Sequence, residues 1–456
     1  MKRRLSVHLP LVLVLVVVTL ALLAFDRPLA RSDGLAYFMW LDSIAGDGDM
    51  DLSNQAEVFA HVNAYQVFYH EPTGRWVSVF PHGMGLLLAP ARWLAAGVDR
   101  LGCLHVNDDY FVALQGRPLP YSLLAMLGVN LYALGTVALA YSIARRFASP
   151  WAAAVAAGAL FLGTPLLYYG TVEPLSTHVP GAFLTTLSLY LLLRGEEAGA
   201  QWWFWWAAAG AAGGLATLAR WQLSLFAVGG GLWLLTRRQW RGAFLFGLSF
   251  AALAWHVPYT WDWMFGRPWV VPASERSQTS FLVWPPHVGA VLFSDARGLF
   301  VWAPLTLLGL VGLVGLGRKR WRLALTLTVV FLSQATINGM VADWWAGWSF
   351  GMRRMTELYP VFVLGLGALL GCCRVGRWRA PGWARGALVA IVALGLAFSL
   401  LLLLSHLNFI NTVLDQPQGD RASTEMRYQL TQSSFHVTWL VMKEHYGVWA
   451  WARPGP

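Results

Sequence analysis

The residues best equipped for chemistry begin at Asp33, in the stretch Arg31-Ser32-Asp33-Gly34-Leu35-Ala36-Tyr37-Phe38, shortly after an apolar run over 9–25. Other acids crowd around it: Asp26, Asp42, Asp47, Asp49, Asp51 and Glu57. A carboxylate held at a membrane surface can act as a base, ligate a metal or sit solvated in a loop. By itself, Asp-Gly beyond a helix end is a turn signal. The aromatics Tyr37, Phe38 and Trp40 point the other way, to an amphipathic segment lying back on the membrane. A carboxylate pinned there is partly desolvated and suited to general-base work. Spacing alone leaves both readings standing. The glycine-spaced Gly46-Asp47-Gly48-Asp49-Met50-Asp51 reads as a polar, solvated turn.

Three more stretches carry functional groups. Asp343-Trp344-Trp345-Ala346-Gly347-Trp348-Ser349-Phe350-Gly351-Met352 leads into the pair Arg353 and Arg354. The guanidinium fork suits phosphate oxygens, and Gly347 and Gly351 let a ligand come close. The plainer account is snorkelling to lipid headgroups within a tryptophan belt formed by Trp344 and Trp345. In Phe293-Ser294-Asp295-Ala296-Arg297-Gly298, at the mouth of an apolar run, Asp295 and Arg297 could simply pair as a surface salt bridge worth little. Glu173 and His178, in Glu173-Pro174-Leu175-Ser176-Thr177-His178, fall at a membrane boundary with Arg220, where ionisable groups are costly unless paired or used. Asp33, Glu173 and His178 could together hold a metal, but no ligand spacing supports it. No metal ligand is assigned, and a divalent cation is left open as a cofactor.

The elements that must position these groups follow from composition. The 456 residues are 57% hydrophobic and only 12% charged, against about 25% charged in a soluble domain. This is a polytopic membrane protein. A spanning helix needs roughly 20 apolar residues. The runs that qualify are 9–25, 119–142, 150–169, 177–193, 203–219, 222–236, 242–258, 298–316, 322–341, 358–373 and 386–405, so about eleven transmembrane helices in an all-α fold are expected. The first run is read as a retained helix rather than a signal peptide, being long and lacking a small-x-small site. The 26 tryptophans gather at run ends, as interfacial indoles do. Cys103, Cys372 and Cys373 have no metal-ligand spacing.

Charge sets the orientation. Of 33 basic residues, 17 fall in one set of short connections: Lys2, Arg3, Arg4, Arg145, Arg146, Arg194, Arg237, Arg238, Arg241, Arg318, Lys319, Arg320, Arg322, Arg374, Arg377, Arg379 and Arg385. The same connections contain only Glu196 and Glu197 of the 23 acids. By the positive-inside rule the N-terminus is cytoplasmic, and an odd number of spans puts the C-terminus outside. The formal +10 charge is thus a matter of sidedness and does not indicate a nucleic-acid partner. Residues 1–405 read as the membrane domain, with long outer loops over 26–118 and 259–297, and 406–456 as a short outer tail. Within the first loop, Leu86 to Val98 is too short to span and reads as an interfacial helix. The inner loops are short and no G-x-x-x-x-G-K loop occurs, so nucleotide chemistry is not expected and the outer face carries the activity.

Taken together, several motifs resemble the GT-C superfamily of polytopic glycosyltransferases. They are Ser32-Asp33-Gly34-Leu35-Ala36-Tyr37, Asp47-Gly48-Asp49-Met50-Asp51-Leu52, Phe80-Pro81-His82-Gly83, Gly298-Leu299-Phe300 and Trp344 through Arg354. The nearest kin by these motifs are bacterial relatives of the protein O-mannosyltransferases and of the lipid A aminoarabinose transferases. The resemblance implies a bacterial plasma-membrane enzyme with interfacial helices in its first outer loop. It implies a polyprenyl-phosphate-linked sugar as donor, a glycan, lipid or protein as acceptor, and inversion at the anomeric carbon. Asp33 matches the first-loop catalytic acid. Gly34 stands where the mannosyltransferase pattern has a second acid, so that branch's specificity does not carry over. Arg353, Arg354 and Arg297 would hold the donor phosphate, with His82, Glu173, His178, Arg220, Trp344 and Trp345 lining the substrate pocket. A transporter would show paired halves with broken helices and mid-membrane charge, and neither is seen. A non-catalytic scaffold subunit would keep the same helices.

Overall fold

A computed structural model describes residues 2–25, 33–59, 66–100, 120–198, 202–277, 282–295, 297–346, 349–372, 374–375, 378–379 and 381–414. The chain opens with α1 (Lys2–Ala24), followed by α2 (Asp33–Asp42), α3 (Ser53–Phe59) and an antiparallel hairpin of β1 (Val67–His70) and β2 (Arg75–Ser78). α4 (Gly83–Arg100), α5 (Pro120–Ala144), α6 (Pro150–Leu162), α7 (Leu166–Thr171), α8 (His178–Glu197) and α9 (Trp202–Ala219) come next. α10 (Ser224–Thr236), α11 (Trp240–Ala254) and α12 (His256–Phe265) lead to the short α13 (Pro272–Ser277), α14 (Val288–Phe293) and α15 (Leu299–Trp302). Long α16 (Leu305–Met340), then α17 (Tyr359–Cys372), the two-residue strands β3 (Arg374–Val375) and β4 (Trp378–Arg379), and α18 (Gly382–Leu414) complete it. The expected helical class holds, at 79% helix with almost no sheet.

Each of the eleven apolar runs falls largely on helix. By length and composition, four described segments can cross a membrane: Leu127–Ala144, Trp240–Phe265, Leu305–Met340 and Gly382–Leu407. Shorter apolar helices occupy His8–Ala24, Pro150–Leu162 and Trp221–Thr236. Local chemistry sets the boundaries. Ser149 caps α6, its hydroxyl accepting from the Ala152 amide at 3.3 Å, and Pro150 starts the helix where its missing N–H costs nothing. The runs 298–316 and 322–341 merge into α16, which turns back on itself at Arg320 (φ −142°, ψ 56°). The turn brings Gly317 and Ala324 together, so that a β-carbon added at Gly317 would lie 3.7 Å from that of Ala324.

Lipid is as apolar as leucine, so helices in a bilayer associate through close packing rather than water exclusion. The α16–α17 contact shows this. A β-carbon on Gly312 would collide with the Gly365 carbonyl, so the two backbones touch directly. α1 packs similarly into α6 and α7, burying Val14, Val18 and Leu22.

α2, α3, the β1–β2 hairpin and α4 fold onto one end of this bundle. α4 is amphipathic, burying Met84, Leu88 and Ala89 and exposing Leu86, Trp93 and Leu94. The Tyr132 hydroxyl donates to the Leu87 carbonyl at 2.8 Å and ties α4 to α5. α2 departs from expectation. It is not an amphipathic segment on the membrane, since every residue from Gly34 to Leu41 is buried within protein. Its aromatics are consumed in packing. Tyr37 stacks on Phe80 with centroids 4.4 Å apart, and the Trp40 indole donates to the Phe80 carbonyl at 3.1 Å.

Candidate active site

Asp33 opens α2, where a helix N-terminus favours negative charge. Because the rest of α2 is clamped under the 80–85 segment, its carboxylate has a fixed position. One oxygen, Oδ2, pairs with Arg353 Nη1 at 2.6 Å. The other accepts from the Gln66 amide at 2.5 Å. Both charged side chains keep some exposure, 17% for Asp33 and 14% for Arg353. The start of α2 and the residues preceding α17, 320 positions apart in sequence, therefore meet at one ion pair.

The neighbouring acids behave as the glycine-spaced turn predicts. Asp47 accepts from Asn54 and Gln55 at 2.8 and 2.6 Å, Asp49 from the Asp51 amide, and Asp51 from Ser53. They shape their own loop. Asp42 pairs with Arg92 at 3.4 Å, and burial raises its carboxyl above the usual range despite that partner. Asp26 lies outside the described residues.

Around the Asp33–Arg353 pair stands a second cluster. Glu173 accepts from the Tyr168 hydroxyl at 3.0 Å, and its charge acts on both Arg353 and Tyr169. His178, first residue of α8, lies against the Tyr169 ring at 4.3 Å and 2.9 Å from Glu357 Oε1. Arg220 Nη1 donates to that same oxygen at 2.7 Å and lies 2.8 Å from His178 Nδ1. Asp33, Glu173, His178, Arg220 and Arg353, expected as site residues, thus gather in one neighbourhood. The Tyr37 hydroxyl sits in the same field, and burial pushes its pKa up, so it stays protonated.

The remaining expected residues are placed elsewhere. Arg354 turns back on its own loop, with Nη2 on the Asp343 carboxylate at 2.8 Å and Nη1 on the Asp343 carbonyl at 2.9 Å. Arg297 is 2% exposed, donates to the Ser349 hydroxyl at 3.2 Å and lies over the Trp302 ring. Trp344 and Trp345 meet edge to face, 5.8 Å apart. His82 bonds Thr260 at 2.7 Å and packs edge-on to Trp40 and His256, joining the 80–85 segment to α12. Burial, with His256 adding to it, lowers its pKa to about 4, so it is neutral near pH 7. Gly351 sits in the left-handed region (φ 58°), and a side chain there would press on Pro165. That glycine sets the turn delivering Arg353.

Sequence reading missed Glu357 and Gln66. Glu357 did carry a signal, since an acid directly before the apolar run 358–373 is costly unless paired. Gln66 carried none. Among the described residues, no three His, Cys, Asp or Glu side chains converge as a metal site. A groove of about 450 Å³ between α10 and α11, lined by Val228, Leu235, Trp240 and Phe250, is apolar and separate from this cluster.

Comparison with known proteins bears on the fold. The profile of the dolichyl-phosphate-mannose-protein mannosyltransferase family matches residues 122–261, under a third of the chain. No curated protein matches the sequence. ArnT from Cupriavidus metallidurans in the apo state is similar in structure, with a TM-score of 0.50 at 16% identity over 95% of this chain and 76% of that one. The apo oligosaccharyltransferase of Archaeoglobus fulgidus gives 0.52 at 11% identity over 93% of this chain and 60% of that one. Such identities speak to fold alone. The likeness to the GT-C superfamily of membrane glycosyltransferases is thereby shown at the level of fold, and residues 122–261 are similar to the mannosyltransferase profile.

Proposed function

We propose that this protein moves a sugar from a polyprenyl-phosphate donor to an acceptor hydroxyl at the outer face of the membrane, with Asp33 as general base. The observation that carries the reading is the Asp33–Arg353 pair. It couples the first-loop acid to a guanidinium suited to phosphate, beside Glu173, His178 and Arg220. Eleven spans with a cytoplasmic N-terminus would set this cluster on the outer side.

In the proposed reaction the donor phosphate competes for Arg353, whose fork matches phosphate oxygens. Asp33, released from full neutralisation, accepts the proton of the acceptor hydroxyl. That oxygen attacks the anomeric carbon while the carbon–oxygen bond to the lipid phosphate breaks. The bonding electrons leave on the phosphate oxygen, where guanidinium charge stabilises them. Attack opposite the leaving group inverts the anomeric centre. The acceptor is a glycan, a lipid or a protein.

The test is sugar transfer by the purified chain in lipid nanodiscs, using polyprenyl-phosphate sugars labelled in the sugar. Transfer that disappears in Asp33→Asn is expected. A parent that binds no donor and transfers nothing would overturn the reading in favour of a scaffold subunit. Movement of the intact lipid across the bilayer without sugar transfer would replace it with a transporter.

A further inference from the structure

Glu357 takes no part in the chemistry proposed above, yet it is 1% exposed and tightly held. Its Oε1 receives Arg220 Nη1 at 2.7 Å, and its own backbone carbonyl accepts from the Thr185 hydroxyl at 2.7 Å. A β-carbon on Gly181 would come within 3.0 Å of its Cγ, so α8 leaves the carboxylate little freedom. Arg220 sits in extended backbone (φ −149°, ψ 113°) at the end of α9 and is anchored through Nη1 alone. Among the described residues its Nε and Nη2 have no protein partner. Arg353 is anchored in the same manner, with Nη1 on Asp33 and its other side-chain donors unpartnered among those residues. Thr356 stands between the two residues: its hydroxyl donates to the Arg353 carbonyl at 2.6 Å and lies 3.3 Å from His178 Nδ1, the atom beside Arg220 Nη1. Arg354 and Arg297, by contrast, point at Asp343 and at Ser349.

Stability gives little reason for such an arrangement. A buried ion pair exchanged for apolar side chains of similar size is often neutral or better. Free donors on guanidiniums that are anchored at one nitrogen and only partly exposed, 11% for Arg220 and 14% for Arg353, are suited to an anionic ligand that completes them. We propose that Glu357 is a positioning residue that aims Arg220 at the donor phosphate, so that Arg220 and Arg353 form the two-armed phosphate site. The assignment deepens the transferase reading and rests on it.

The experiment uses the full chain in nanodiscs, with sugar-free polyprenyl monophosphate as the binding probe alongside donor KM, kcat and thermal unfolding. Glu357→Gln keeps an acceptor oxygen but loses the charge. It is expected to weaken probe binding and raise donor KM about tenfold, with kcat changed much less. Arg220→Gln combined with Glu357→Gln removes both charges. It is expected to regain parent unfolding temperature without regaining probe affinity. Arg220→Lys retains the buried charge pair and is expected to bind the probe several-fold more weakly at near-parent stability.

Probe affinity that returns together with stability in the double variant would make Glu357 a purely structural partner and overturn the proposal. Parent-like binding in Glu357→Gln or Arg220→Lys would do the same while leaving the transferase reading intact. A parent chain that does not bind the probe would overturn both.

Discussion

Asp33 can take a proton only if Arg353 no longer neutralises it when the acceptor arrives, and that requirement orders the consequences at single positions. Asp33→Asn keeps the contact with Gln66 and removes the base, so transfer should fall by about 10²–10⁴ while donor binding survives. Asp49→Asn should leave transfer near the parent level, because Asp49 only shapes its own turn. Assaying both against labelled donor separates the base from its acidic neighbours, and equal rates for Asp33→Asn and the parent would move the base to Glu173. Arg353→Lys keeps charge but loses the fork and should raise donor KM about tenfold. Arg354→Lys should lower unfolding temperature more than it alters KM, because Arg354 grips Asp343 through two nitrogens. At this scale the sequence showed which residue types were available but not their partners. Arg353 and Arg354 are indistinguishable as neighbours in a string. Only the backbone turn through Gly351 and Met352 sends one toward Asp33 and the other toward Asp343.

At the scale of elements, apolar length and breaker residues made most helices legible, whereas burial by tertiary packing was not. Tyr37, Phe38 and Trp40 looked interfacial because a string of aromatics near a membrane usually is. They are core because α4 and residues 80–85 cover α2, a contact between segments some forty residues apart. His82 belongs to that covering layer, and its lowered pKa makes the layer sensitive to acid. The unfolded chain has an ordinary histidine, with pKa 6.5, against about 4 in the folded state. Between these values the unfolded chain binds more protons, so stability falls as pH drops from 6.5 toward 4 and levels off below. Unfolding temperature measured across that window should show the slope, and His82→Asn should flatten it. A similar slope in the variant would assign it to other groups. The α16–α17 contact gives another outcome. Gly312→Leu forces a side chain into the Gly365 backbone, so it should cost about 3 kcal/mol and weaken transfer by loosening the segment before α17.

At the scale of the whole molecule, two charged layers define the protein, and α8 measures the distance between them. His178 starts it within the Asp33 cluster and Glu197 ends it among the arginines of the opposite end. Twenty helical residues rise about 30 Å, which is the thickness of a bilayer's hydrocarbon core. At the Glu197 end, Glu196 pairs with Arg237 at 2.9 Å and Arg320 at 3.4 Å, while Glu197 pairs with Arg146 at 3.3 Å and Arg194 at 3.5 Å. Residues that composition grouped on one side therefore share one end of the fold. Each exposed pair contributes little to stability. Their consequence is electrostatic: with both acids already paired, the remaining arginines leave that end strongly cationic, and the positive-inside rule is the ground on which we propose that it faces the cytoplasm. The tail from 415 onward lies outside the described residues, and its proposed outer side rests on the expectation that α18 is the eleventh crossing. After Cys103, Cys372 and Cys373 are replaced by serine, a cysteine at Ser423→Cys should react with an impermeant maleimide in intact cells. One at Gln239→Cys, in the arginine-rich turn between α10 and α11, should react only after lysis. The opposite pattern would invert the molecule and put the Asp33 cluster at the cytoplasmic surface. Labelling of both positions in intact cells would break the count of eleven crossings.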